Sequence, residues 1–404
     1  MLPLKYLKIP RFPKVVLTTL SLVVSAAIGS VAWHGELIGL LFAPLIVVLW
    51  GRACSRAGAF LIMLGYYLAT GYGLVEGAGV FFGEASILPN PLPGLFLWFG
   101  YASILASGWA SAWGPKAKAA RLVIALFIVS APPIGTLGGF NPVLSAGLYF
   151  PGLGWVGLGL TVCWFCVLAH APANLTTRLT TSLPFLLVAI ISNLVYSTPV
   201  LPNWFSLDTS LGPATSSDAQ YDRMLTLQDK VSAWSSDHGQ GSVLLLPELV
   251  GDNWAVNEDW WRDIDRRLKH RQQTLLLGAF IPVGTGRAYE NVILAIGENA
   301  GIKFKDRVPV PISMWKPWTD DGAISFWFDP GINQIKEHRV ASLICYEQLL
   351  VWPALLSFAK SPDVLIAPAN DWWATKTNLP ELQQQSVFAW ARLFSVPYIW
   401  ATNR

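Results

Sequence analysis

Seven stretches in the first 200 residues are almost free of charge and approach the length of a membrane-crossing helix; no other feature of this chain restricts its fold as much. They lie at 15–33, 37–50, 57–80, 92–113, 122–137, 153–168 and 183–196. A helix needs roughly 20 apolar residues to cross the hydrocarbon of a bilayer. The second stretch is short and Pro132-Pro133 interrupts the fifth, so about seven transmembrane helices are expected. Residues 1–200 hold ten Lys or Arg and three acids, and the other 40 of the 53 charged residues fall in the remainder. The chain therefore divides into an α-helical membrane bundle, 1–200, and a water-soluble domain, 203–404. A soluble helical core does not account for the first half. With 53% hydrophobic and 13% charged residues, too little polar surface exists to cover it.

The basic residues orient the bundle. Lys5, Lys8, Arg11 and Lys14 precede the first stretch, and Arg52 and Arg56 follow the second. Lys116, Lys118 and Arg121 follow the fourth, and Arg178 follows the sixth. Alternate connections carry Glu36, Glu76 and Glu84 without Lys or Arg. By the positive-inside rule the basic side is cytoplasmic, and seven spans place the C-terminal domain on the other side. In a bacterial inner membrane that side is the periplasm. Trp33, Trp50 and Trp113 are expected at the headgroup boundary. A net charge of +3, spread along the chain, argues against direct nucleic-acid binding.

The second half alternates helical and strand patterns. Met224, Leu227, Val231 and Trp234 recur at helical spacing within 221–238, and Trp260, Trp261, Ile264 and Leu268 do so within 258–270. Short apolar runs at 243–246, 274–281, 291–296, 340–344, 364–367 and 398–401 read as strands buried on both faces. A helical stretch follows Tyr346, and another covers 382–394. Core packing is the ordinary reading of Trp254, Trp315, Trp318, Trp372 and Trp373, and an apolar acyl-chain cleft is the alternative.

Chemistry-bearing residues sit at strand ends, where the crevice of an α/β sheet forms. Glu248 follows the 243–246 run, Cys345 follows the 340–344 run, and Lys305 lies in Lys303-Phe304-Lys305-Asp306-Arg307. A carboxylate can take a thiol proton, and an ammonium and a helix N-terminus favour the thiolate. Taken singly, a buried cysteine, a glutamate after a strand and a lysine in a charged cluster are ordinary structural residues. Cys54, Cys163 and Cys166 are placed where none pairs with Cys345. His34, His170, His238, His270 and His338 lack metal-ligand spacing, so neither metal nor cofactor is expected.

Leu244-Leu245-Leu246-Pro247-Glu248, Gly278-Ala279 with Tyr289-Glu290-Asn291, Ile344-Cys345-Tyr346-Glu347 and Ala369-Asn370-Asp371-Trp372-Trp373 together resemble the nitrilase (carbon–nitrogen hydrolase) superfamily in its membrane branch. Within that branch the chain looks like the TraB-like conjugal transfer proteins, relatives of apolipoprotein N-acyltransferase. The resemblance implies an αββα sandwich, C-terminally shortened, with Glu248, Lys305 and Cys345 catalytic and Tyr346 and Glu347 supporting. It also implies amidase or N-acyltransferase chemistry through a cysteine acyl-enzyme at the outer face of the inner membrane. The substrate would be a membrane lipid or an acylated or amide compound, and the partners conjugation or envelope proteins. A non-catalytic envelope protein retaining the fold, or a true apolipoprotein N-acyltransferase, is the alternative. The family reads Lys-x-x-Leu-Val-Pro-Phe-Gly-Glu after its lysine, whereas Ser313 or Met314 stands here where that glutamate falls. Lys303 is the second candidate for the lysine, and Glu347 for the missing carboxylate.

Overall fold

Glycine and proline decide where the apolar runs become helices and where those helices stop. The computed structural model describes residues 14–82, 89–170, 175–212 and 216–404, so Lys5, Lys8, Arg11 and Glu84 lie outside the described residues. The first domain consists of α1 (Lys14–Ala32), α2 (Pro44–Arg52), α3 (Arg56–Thr70), α4 (Gly73–Phe82), α5 (Leu92–Ala112), α6 (Lys118–Ser130), α7 (Ala146–Tyr149), α8 (Gly154–His170) and α9 (Leu175–Val195). Among the described residues two helices, Leu92–Ala112 and Thr176–Val195, are long and apolar enough to cross a membrane. The 57–80 stretch is not one rod. It breaks after Thr70 into α3 and α4, bent by 57°, and adds a third span if the pair counts as one. The 122–137 stretch stops at Ser130, just ahead of Pro132 and Pro133, which lack amide donors and disfavour helical geometry in the residue before them. Thr19–Ala32, Leu37–Arg52 and Gly154–His170 are shorter apolar helices. By length and composition two or three of the expected seven spans meet the requirement among the described residues. Summed hydropathy registers apolar content but not the breaks that shorten a helix.

The tryptophans expected at a headgroup boundary have their rings buried inside the protein. Trp33, Trp50 and Trp113 are 1%, 0% and 7% exposed. A buried indole N–H favours an acceptor, which Trp33, Trp50 and Trp109 find and, among the described residues, Trp113 does not. Trp33 Nε1 donates to Tyr66 Oη at 2.7 Å, Trp109 Nε1 to Tyr67 Oη at 2.9 Å, and Trp50 Nε1 to the Trp109 carbonyl at 3.3 Å. The outward faces carry exposed Phe96 and Phe99 on α5 and Leu183, Ile190 and Leu194 on α9.

The bundle has two chemically different ends. Arg56 Nε donates to the Trp113 carbonyl, Lys118 Nζ to that of Gly51, and Arg121 to that of Ala112, which gathers these basic side chains at one end. The other end meets the second domain. Gln385 Nε2 donates to the carbonyls of Ala32 and Glu36 at 2.9 and 2.7 Å. Gly147 admits the Ala389 carbonyl so closely that a Cβ there would stand 2.0 Å from it. Helix α5 has 21 residues and, at 1.5 Å rise each, is about 30 Å long.

The second domain is a four-layer sandwich. One sheet runs β1 (Trp204–Ser206), β2 (Val243–Leu245), β3 (Thr274–Pro282), β4 (Ala288–Gly297), β5 (Lys303–Lys305), with β6 (Gly322–Ala323) paired to β4. The other runs β10 (Tyr398–Asn403), β9 (Val364–Asn370), β8 (His338–Ser342), β7 (Ile332–Ile335). Val243, Leu245, Leu276, Ile293 and Phe304 of the first sheet pack against Val340, Ile344, Val364, Ile366 and Ala401 of the second. The outer face of the first sheet carries Leu244, Leu275, Leu277, Val292 and Leu294 against α10 (Ser217–Asp237) and α11 (Trp254–His270). The outer face of the second packs on α12 (Val351–Phe358), α13 (Leu379–Phe394) and, through them, the helical bundle. Covering both faces explains why the strands read as continuous apolar runs. Of the second-half tryptophans, Trp318 is exposed, and Trp254, Trp315, Trp372 and Trp373 are half-buried.

Candidate active site

The site is assembled where the inner faces of the two sheets run out into loops. Glu248 lies three residues past β2, and Gly278 on β3 lets its loop come close. A Cβ at Gly278 would stand 2.3 Å from the Pro247 carbonyl oxygen and 2.5 Å from the Glu248 Cα. Cys345 lies three residues past β8 with φ +48°, a left-handed conformation that a side chain other than glycine's rarely adopts. A five-residue 3-10 turn, Cys345–Leu349, follows it, and α12 starts only at Val351. The expected helix N-terminus at the cysteine is therefore a tighter turn, with less dipole to favour a thiolate.

The structure brings Glu248 and Cys345 together. Their side chains are close enough for each to shift the other's titration, and the Asn370 backbone amide acts on both. Cys345 is 5% exposed and Glu248 1%. Burial pushes the Glu248 carboxyl up to about 7, against hydrogen bonds from Cys345 and Asn291 that lower it. Burial first, and then the Glu248 and Asp371 carboxylates, drive the Cys345 thiol well above its ordinary value. Burial thus favours the neutral form of the thiol, with a carboxyl beside it.

Lys305 is not brought to the cysteine. Strand residues alternate between faces, and the register pairs Lys305 with Val292 of β4. Val292 belongs to the outer core and Phe304 to the inner one, so Lys303 and Lys305 point outward. Lys305 Nζ contacts Glu290 Oε1 at 2.8 Å and lies 4.2 Å from the centre of the Phe326 ring. Lys303 is exposed. The inner position one residue on belongs to Asp306, whose carboxyl is 2% exposed. Asn291, paired opposite it, donates one amide group to Glu248 Oε1 at 2.6 Å and to Asp306 Oδ2 at 2.9 Å. Lys305→Ala should leave the rate of Cys345 alkylation by iodoacetamide unchanged and cost less than about 1 kcal/mol, as partly exposed ion pairs do. A severalfold slowing would place the ammonium near the thiol after all.

The two supporting residues hold the turn. Glu347 is 0% exposed and grips Arg307, also 0% exposed, through Nε at 3.0 Å and Nη2 at 2.7 Å. Its carboxylate also accepts the backbone amides of Arg307 at 2.5 Å and Ile344 at 3.1 Å. Glu347 is thus committed to a structural pair and does not stand in for a free second carboxylate. Tyr346 packs against the core shared with the helical bundle. Asp371, fully buried, accepts from Thr402 Oγ1 at 2.7 Å and, with the Gln383 amide turned to suit it, from Gln383 at 3.0 Å. Burial raises Asp371 to about 6. Asn291, Asp306, Arg307 and Asp371 were not expected at the site. The Lys-Phe-Lys alternation was a usable signal, since an inward Phe304 implies an inward Asp306.

No family model matches the chain. Its sequence is similar to the "Conjugal transfer protein TraB" of Agrobacterium fabrum, 31% identical over 411 residues, covering 95% of this chain and 92% of that protein. It is similar also to the "Probable conjugal transfer protein TraB" of Sinorhizobium fredii, 31% identical over 400 residues, covering 94% and 97%. Among solved structures, an amidase of the nitrilase superfamily from Nesterenkonia aligns with 43% of this chain and 68% of its own, at 13% identity and a TM-score of 0.33. A carbon–nitrogen hydrolase from Helicobacter pylori aligns with 47% and 67%, at 14% identity and a TM-score of 0.31.

Proposed function

This chain belongs to the family of TraB conjugal transfer proteins, and from that premise we propose that it serves plasmid transfer from within a bacterial inner membrane, where its α/β domain performs acyl transfer or amide hydrolysis on Cys345. The observation that carries this reading is the Glu248 carboxyl against the Cys345 thiol, buried and raised to about 7, where a general base is most effective near neutral pH. As Cys345 Sγ attacks the carbonyl carbon of an amide or ester, Glu248 takes the thiol proton. It then returns that proton to the departing amine or alcohol, leaving an acyl group on sulfur. Water or a second amine, deprotonated by the same carboxylate, releases the acyl group. The substrate is an acylated or amide compound that reaches the domain from the membrane. Mass spectrometry of the purified protein incubated with membrane extract tests this, with an acyl adduct expected on Cys345 and absent from Cys345→Ser. A Cys345 that stays unmodified under all such conditions counts against it.

A second reading is favoured by a specific observation. Glu248, Asp306, Glu347 and Asp371 are all buried and Lys305 faces outward, so the thiol lacks the ammonium the family resemblance implies. In this reading the domain is a scaffold of the transfer apparatus.

The topology proposed is a cytoplasmic basic end and a periplasmic α/β domain. It is supported by Arg56, Lys118 and Arg121 gathering at the end of the bundle opposite the α/β domain. A periplasm-dependent reporter fused after Arg404 should be active, and one inserted at Lys118 silent. The reverse pattern would invert the topology.

A further inference from the structure

Asp306 occupies the interior position next to Glu248, and the chemistry of the proposed reaction gives it no task. Its carboxyl and that of Glu248 accept from the same Asn291 amide nitrogen, at 2.9 and 2.6 Å. Two oxygens held by one nitrogen lie within about 6 Å of each other, the range in which one carboxylate resists ionisation of the next. Both side chains are buried, so water does not screen that repulsion. The neighbouring cations are committed elsewhere. Arg307 is paired in bidentate fashion with Glu347, and Lys305 with Glu290 on the outer face. The ionisable groups facing the pair are acidic from every side: Tyr289 on β4, Glu347 after β8 toward Asp306, and Cys345 and Asp371 toward Glu248.

We propose that Glu248 and Asp306 form one carboxyl pair that holds a single proton across Asn291, making Asp306 a positioning residue that sets when Glu248 can accept the thiol proton. The Asn291 amide ties the two carboxyls together. It turns its NH2 to both carboxyls and leaves Oδ1 buried without a partner. An NH2 that donates to both groups suits carboxyl oxygens acting as acceptors, whichever of the two carries the proton. Joint ionisation is opposed by proximity and burial, which leaves one proton for two groups. Burial, then Glu347 and Glu248, hold Asp306 well above the carboxylate range, and burial raises Glu248 to about 7, so the proton belongs to the pair. The consequence is a two-step switch. Below the first ionisation Glu248 is protonated and cannot act as a base. Between the two steps the pair shares one proton, and Glu248 accepts the thiol proton when that shared proton sits on Asp306. Above the second step an added negative charge opposes formation of the thiolate.

The inference rests on Glu248 as the base of the proposed reaction, and the test separates the two claims. The full-length chain in detergent micelles is alkylated with iodoacetamide across a pH series, and modification of the Cys345 peptide is followed by mass spectrometry. The wild-type rate should show two inflections before the thiol's own ionisation. Asp306→Asn should remove the second and label about threefold or more faster than wild type on its alkaline side, as loss of a neighbouring charge of that strength implies. Asp306→Glu should restore both steps, which a role in packing alone does not explain. An Asp306→Asn profile superimposable on wild type overturns the pair. If that variant does not fold, the wild-type curve decides, because a single inflection overturns it as well. Glu248→Gln with an unaltered profile removes both the base and the pair. A two-step profile on a Cys345 that never carries an acyl group retires the acyl-enzyme and leaves the pair standing.

Discussion

Arg307→Ala is expected to leave the α/β domain without a stable fold. The guanidinium is fully buried and donates to both oxygens of Glu347, to the carbonyls of Ser342, Pro330 and Pro353, and to Ser357 Oγ. Truncating it strands a buried carboxylate and several acceptors at once. Breaking one side of such a pair costs about 3–5 kcal/mol, a large part of the roughly 5–15 kcal/mol by which a typical domain is stable. Arg307→Lys should recover little, since an ammonium cannot match the planar, two-pronged contact with Glu347. The double change Arg307→Met with Glu347→Met should be milder than Arg307→Ala alone, because no charge is left unpaired. Urea unfolding in detergent, followed by tryptophan fluorescence, measures all three. An Arg307→Ala midpoint equal to wild type would show that the pair contributes nothing net.

Cys345→Ser should reduce plasmid transfer to the level of a deletion strain if the site is catalytic. Serine keeps size and polarity, but its hydroxyl is almost wholly protonated near neutral pH. Loss of a nucleophile typically removes several powers of ten in rate, more than about 4 kcal/mol of transition-state stabilisation. Glu248→Gln should act comparably, since an amide fills the same volume yet cannot accept the thiol proton. Neither change leaves a cavity, so expression should hold. The measurement is conjugation frequency in a deletion strain complemented with each variant at wild-type level. Full transfer by both would establish the scaffold reading.

The strands of the second half and the positions of Glu248 and Cys345 at strand ends are legible from local pattern. Charge asymmetry separated the halves, uninterrupted apolar runs located β2, β3, β4, β8, β9 and β10, and Glu248 and Cys345 were read at strand ends. Boundaries moved modestly: α11 begins at Trp254, not near residue 258, because Asn253 caps it through Ala255 N at 3.1 Å. The length of the apolar helices was less legible, since runs such as 57–80 count as one until the break at Gly71 is seen in three dimensions.

What the sequence determined by itself is whatever depends on neighbours along the chain: hydrophobic period, helix breaks at proline, and the inward parity of Phe304 that Asp306 shares. What only the tertiary structure decided is which distant groups meet. Lys305 and Asp306 are adjacent in sequence, yet the pleat sends one to Glu290 on the outer face and the other to Asn291 inside. Arg307 finds Glu347 40 residues away, and that pairing takes Glu347 from the set of free carboxyls. Cys345 meets the Glu248 carboxyl while Lys305 faces outward, since its surroundings come from two different sheets. The physical reason is that a side chain's face is set by the pleat of its own strand. Its electrostatic partners are set by which faces pack together, and a strand's own pattern does not specify the opposing sheet.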